Sequence, residues 1–113
     1  MRRKIAFFLL CSGFLFFSCR NPQGAEQLYA RATDAYIRED FSSALALSDE
    51  ALRADGNYLQ AKLLKAKVLI FTKKTGDAEK MLRMLCKRHP AFSEARLWYV
   101  RALIMNGQYD KAE

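Results

Sequence analysis

Two patterns of apolar and polar positions divide the chain. From Ile5 to Phe17 every residue is apolar except Ser12 and Gly13, and one Phe or Leu follows another with no polar face. From Ala25 onward apolar residues recur at helical spacing instead, and the pattern repeats. Helices are predicted at about 25–38, 42–54, 58–73, 77–88 and 92–106, with a sixth beginning near Tyr109. Between the two patterns lies a short linker, residues 19–24, punctuated by Pro22 and Gly24.

The second pattern has a fixed period. Ala44, Ala78 and Ala112 lie 34 residues apart, and Ala32, Ala66 and Val100 keep the same register. Phe41 and Tyr109 share one slot, with Thr75 between them, and Gly56 and Pro90 share another. Several columns of different chemistry in one register argue for repeated helix–turn–helix units. Each unit is then a pair of antiparallel helices, A and B. Small residues are needed where their backbones cross closely, as Ala32 with Ala44 or Ala66 with Ala78. Phe41 or Tyr109 plugs the turn. Gly56 and Pro90 end the hairpins, and Ser42-Ser43 and Gly76-Asp77 are candidate starts of the B helices. The expected fold is all-α, an α-solenoid of antiparallel helix hairpins. It comprises about two and a half repeats, at 25–58, 59–92 and an incomplete 93–113.

From Ala25 to its end the chain resembles the tetratricopeptide repeat (TPR) family. It departs from that pattern in places. The large residue in the first turn of helix A is Leu28 in the first repeat but Lys62 and Arg96 in the others, and Ser48 stands in a slot that is usually bulky. The resemblance implies a binding platform whose concave face is lined by A helices. Carried onto this sequence, the protein-binding groove comprises Tyr29, Thr33 and Tyr36, then Leu63, Lys67, Ile70 and Phe71, then Leu97, Arg101 and Met105. Lys67 and Arg101 would be its two cations, one repeat apart. The family's carboxylate clamp needs Lys and Asn where Tyr29 and Thr33 stand, so it is not expected. The surface suits an extended or helical segment with apolar anchors and one acidic group. The same apolar stripe is also what neighbouring A helices would pack against one another.

The apolar run follows a basic head, Arg2, Arg3 and Lys4. That is the layout of an export signal. Thirteen helical residues reach about 20 Å, short of a hydrocarbon core of about 30 Å. Phe16-Phe17-Ser18-Cys19 resembles a bacterial lipoprotein signal in its small Ser18 and its cysteine. It departs from that motif at the first position, where Leu is preferred, and at the second, where a small residue is preferred. The resemblance implies cleavage after Ser18 and lipidation of Cys19, with residues 1–18 removed. Simple secretion and an uncleaved anchor are the alternatives.

Removal of residues 1–18 from a chain of 113 leaves 95 residues, with 16 Lys and Arg against 12 Asp and Glu. The surplus is spread along the chain, which argues against nucleic-acid binding. Cys86 would then have no partner for an intramolecular disulfide. One histidine, His89, and scattered cysteines argue against a metal site. No phosphate loop, nucleophile elbow or paired catalytic carboxylates are visible, so neither catalysis nor a cofactor is expected. Arg20 follows Cys19 where an Asp would favour inner-membrane retention, so the outer membrane, facing the periplasm, is the expected location. The expected role is a membrane-anchored scaffold in envelope assembly, with another envelope protein or peptide segment as partner. The alternatives are a solute-binding accessory of a transporter, or a non-functional fragment of a longer TPR protein. The oligomeric state is not readable from the sequence.

Overall fold

The computed structural model describes residues 22–107, and within them the chain is all-helical. Five helices follow in order: α1 Pro22–Ile37, α2 Phe41–Ala54, α3 Leu59–Phe71, α4 Thr75–Arg88 and α5 Ser93–Met105. Every bound lies within a few residues of the expected one. The largest difference is at the start. Pro22, Gln23 and Gly24 form the first turn of α1 rather than a linker. A proline suits that turn because its missing N–H would have no helical partner there. The expected export signal, with Ser18 and Cys19, and the positions Tyr109 and Ala112 lie outside the described residues.

Connections of three or four residues, at 38–40, 55–58, 72–74 and 89–92, fold each helix back onto its predecessor. Each helix packs on its neighbours in sequence. Beyond that, α1 touches α3 and α3 touches α5, whereas α2 and α4 do not meet. The odd-numbered helices therefore line one side and the even-numbered ones the other, with a gap between α2 and α4.

Alanine makes this packing close. Ala32, Ala44, Ala66 and Ala78 are fully buried, as are Ala61, Ala95 and Ala102. The main core joins Leu63, Leu69 and Ile70 of α3 to Leu82 and Leu85 of α4. A second core sets Val68 of α3 against Ala35 and Ala44. Helix α3 is thus covered from all sides, which is why its apolar residues have no single stripe. Ser48 fills the slot that Leu82 fills one period later. It is fully buried, and its Oγ has no hydrogen-bond partner.

The backbone repeats itself with the same period as the sequence. Helix α1 closes with Asp40 N–H donating to Ala35 O at 2.9 Å and Glu39 N–H to Tyr36 O at 3.0 Å. Helix α3 closes with Lys74 N–H donating to Leu69 O at 2.8 Å and Lys73 N–H to Ile70 O at 3.2 Å. Both are Schellman closures, which need a left-handed residue just past the helix. That residue is Glu39 (φ 61°), then Lys73 (φ 64°), then Gly107 (φ 75°), each 34 positions after the last. The even-numbered helices repeat likewise: Asp55 N–H donates to Ala51 O, and His89 N–H to Leu85 O.

The starts of the even-numbered helices differ from expectation. Helix α2 begins at Phe41, not at Ser42-Ser43, because Asp40 caps it: Ser43 N–H donates to Asp40 Oδ1 at 3.3 Å. The Ser43 side chain, and after it this backbone bond, hold the Asp40 carboxyl below its ordinary value. Helix α4 begins at Thr75 after Lys74, which makes no side-chain cap. Gly76 and Asp77 lie inside its first turn, where Asp77 complements the helix dipole.

Candidate protein-binding face

An aromatic run crosses the odd-numbered helices. Tyr36, near the end of α1, meets Phe41 at the start of α2, with ring centroids 6.1 Å apart. Tyr36 also meets Phe71, the last residue of α3, edge-on at 5.9 Å. Phe41 and Phe71 stack at 5.5 Å with planes 4° apart. Phe71 then meets Trp98 of α5 at 6.2 Å. Helix periodicity explains the approach. Tyr36 and Phe71 occupy the ends of two neighbouring odd-numbered helices, and the tight closure at 38–40 brings Phe41, the start of α2, beside both. Phe71 remains 49% exposed, so the run has a surface.

Cations border Trp98. Lys67 Nζ lies 5.2 Å from its ring centroid, and the Arg101 guanidinium 4.7 Å from it. Such contacts are worth about 0.5–1 kcal/mol at exposed sites. The two differ otherwise. Lys67 also donates to Glu94 Oε1 at 2.7 Å, an ion pair linking α3 to α5. Arg101 has no ion pair among the described residues and is exposed.

The expected groove residues separate into four groups. Tyr36, Phe71, Lys67 and Arg101 come together around Phe41 and Trp98. Tyr29 and Thr33 lie apart from them. Tyr29 packs edge-on against Tyr58 at 5.3 Å, and the Thr33 hydroxyl donates to Tyr29 O at 2.9 Å. Burial, with Glu26 adding to it, raises the Tyr58 phenol above its ordinary value. Leu63 and Ile70 are the correction: both are core residues, 1% and 3% exposed, and present no surface. Leu97 and Met105 form the fourth group. With Val100, Arg101 and Ile104 they border an open apolar hollow of about 300 Å³ on α5.

The sequence reading of the site missed Phe41 and Trp98. Phe41 was legible only as a turn plug. Trp98 meets Phe71 and Lys67 across helices, contacts that spacing along α5 alone does not reveal.

Cys86 of α4 packs half-buried against the main core, and burial pushes its thiol up. Burial likewise raises Tyr99, with Glu79 of α4 contributing. Among the described residues no group of His, Cys, Asp and Glu could hold a metal ion, and no helix is long and apolar enough to cross a membrane. Compared with protein-family models and with curated proteins, the chain has no match.

Proposed function

We propose that the chain is a membrane-anchored helical-repeat protein of the tetratricopeptide type. On this reading it binds a segment of another envelope protein across α1, α3 and α5. The repeat reading is supported by closures that recur every 34 residues and by the contacts of α1 with α3 and α3 with α5. The binding reading is carried by one observation, the half-exposed aromatic run from Tyr36 through Phe71 to Trp98, which ends beneath Arg101. Aromatic rings beside an arginine are what concentrates binding energy at protein interfaces. The partner segment carries an apolar or aromatic anchor for Phe71 and a carboxylate for Arg101. Lys67 contributes less, since Glu94 already neutralises it. The anchor rests on the sequence: lipid on Cys19, holding the domain at the periplasmic side of the outer membrane. Two or three acyl chains give durable attachment, at about 0.8 kcal/mol per buried CH₂.

Photo-crosslinking in cells tests the binding face. A photoreactive residue at Ile37, beside Tyr36 and exposed, is expected to give a discrete protein adduct. The adduct disappears when Tyr36→Ala and Phe71→Ala are combined. The same residue at Arg53, exposed on α2, gives none. Equal adducts from Arg53, or an adduct that survives the double substitution, would place binding elsewhere. Labelled palmitate tests the anchor: the native chain takes it up and Cys19→Ser does not. Equal labelling refutes lipidation at Cys19.

A further inference from the structure

The gap between α2 and α4 holds a pocket of about 250 Å³ on the side away from the aromatic run. Its wall is apolar. Leu52 comes from the last turn of α2, and Met81, Met84 and Leu85 come from α4. Its rim is basic. Lys62 stands in the first turns of α3, Arg88 ends α4 and His89 follows it. Met81, Met84, Leu85 and Arg88 have the i, i+3, i+4, i+7 spacing of one helix face, so the chemistry changes from thioether to guanidinium along one line. None of Lys62, Arg88 and His89 has an ion pair among the described residues.

The internal repeat sets the chemistry of Lys62 against its counterpart. Lys62 is 34 residues after Leu28. The first repeat has a large apolar residue at this position. The second has a lysine, whose stem covers apolar surface while its ammonium stays in water. At the pocket this position supplies a cation beside the apolar wall. Part of the Arg88 charge complements the carbonyl end of α4. Lys62 has no such role, since it lies near the N-terminal end of α3, where a cation is unfavourable.

We propose that this pocket binds a single-chain amphiphile with an anionic head, its short alkyl chain between Met81, Met84 and Leu52 and its carboxylate or phosphate held by Lys62 and Arg88. The volume lies just below the usual range for ligand pockets, about 300–1,000 Å³, and so suits one short chain rather than a two-chain lipid. Methionine walls adapt to a flexible chain because the thioether is unbranched and polarizable. Arginine supplies two parallel donors to a carboxylate or phosphate.

Methionine-methyl NMR on the full chain, purified without single-chain detergent, reads the site directly. The chain has four methionines: Met81 and Met84 line the pocket, and Met105 borders the other hollow and serves as control. Titration with monomeric octanoate, octyl phosphate and octanol compares heads on one tail. Saturable shifts of Met81 and Met84 are expected with octanoate or octyl phosphate, and the tighter of the two separates a free acid from a phosphorylated amphiphile. Octanol should bind at least tenfold more weakly. Arg88→Gln, a change at an exposed position, and Lys62→Leu, which restores the residue type of the first repeat, should each weaken anion binding at least tenfold. Helicity should be unchanged in both. Octanol binding as tightly as octanoate would overturn the proposal. So would undiminished binding by both variants, shifts of Met105 in parallel with Met84, or no saturable shift.

Discussion

Phe41 and Phe71 stack face to face, 5.5 Å apart and within 4° of parallel, although one opens α2 and the other closes α3. Tyr36 touches both. The stack therefore ties the first hairpin to the second at the place where the candidate binding face begins. Aromatic pairs are worth about 0.5–1.5 kcal/mol each beyond the area they bury. Phe71→Ala breaks contacts to Tyr36, Phe41 and Trp98 together and is expected to cost about 1–3 kcal/mol, measured by denaturant unfolding. Trp98 is the chain's single tryptophan, so its emission should change in the folded variant. Unchanged emission would mean that Phe71 and Trp98 do not meet in solution.

The left-handed closures make a prediction of opposite sign. Glu39 and Lys73 adopt positive φ, where a side chain costs roughly 1–2 kcal/mol and glycine does not. Gly107 already occupies the equivalent place after α5. Glu39→Gly and Lys73→Gly should each raise the melting temperature, and Gly107→Ala should lower it. A fall on both glycine substitutions would show that the side chains contribute more than their backbones lose.

The helices and their pairing were legible because alanine marks close crossings and recurs every 34 residues. The binding face was legible only in part, and the pair Leu63 and Leu97 shows why. They share a register position, yet Leu63 is 1% exposed and Leu97 68%. Ile70 and Ile104 differ likewise, 3% against 45%. Helix α3 has α1, α2, α4 and α5 around it, whereas α5 has α3 and α4 alone among the described helices. A register names the face of a helix but not whether another helix covers that face. The left-handed closures were illegible for a different reason: two of the three positions carry Glu and Lys, which give no turn signal.

Ser48 offers a third test. Its side chain is fully buried and its hydroxyl unpartnered. A buried polar group left unpaired costs about 1–3 kcal/mol. Ser48→Ala removes the hydroxyl, leaves the helix intact and gains helix propensity. It is expected to stabilise the fold by about 1 kcal/mol, read as a higher denaturant midpoint at unchanged slope. A clear loss of stability would show that the hydroxyl has a partner in solution.

Asp40 gives the last prediction, one that depends on pH. Its N–H closes α1 through Ala35 O, and its carboxylate caps α2 through Ser43 N–H. The Ser43 side chain comes first among the causes that hold its carboxyl below the ordinary value of 3.8, and the capping bond from the Ser43 N–H comes second. A lowered folded value means that the ionised form stabilises the native state. That contribution is full above about pH 4, and it is lost as pH falls through the lower folded value, because the unfolded chain then binds the proton more readily. Asparagine at this position keeps a cap but does not titrate. The melting temperature of the native chain should therefore fall relative to that of Asp40→Asn as pH drops from neutral to about 2.5, whatever the sign of their difference at neutral pH. Lys74 supplies the converse. Its backbone makes the same closing bond, to Leu69 O, but its side chain caps nothing. Lys74→Asp places the missing acceptor at the start of α4 and should stabilise by about 0.5–2 kcal/mol at neutral pH. That gain should fade at low pH in the same way. A gap that stays constant across the range in both variants would show that neither carboxylate acts through its charge.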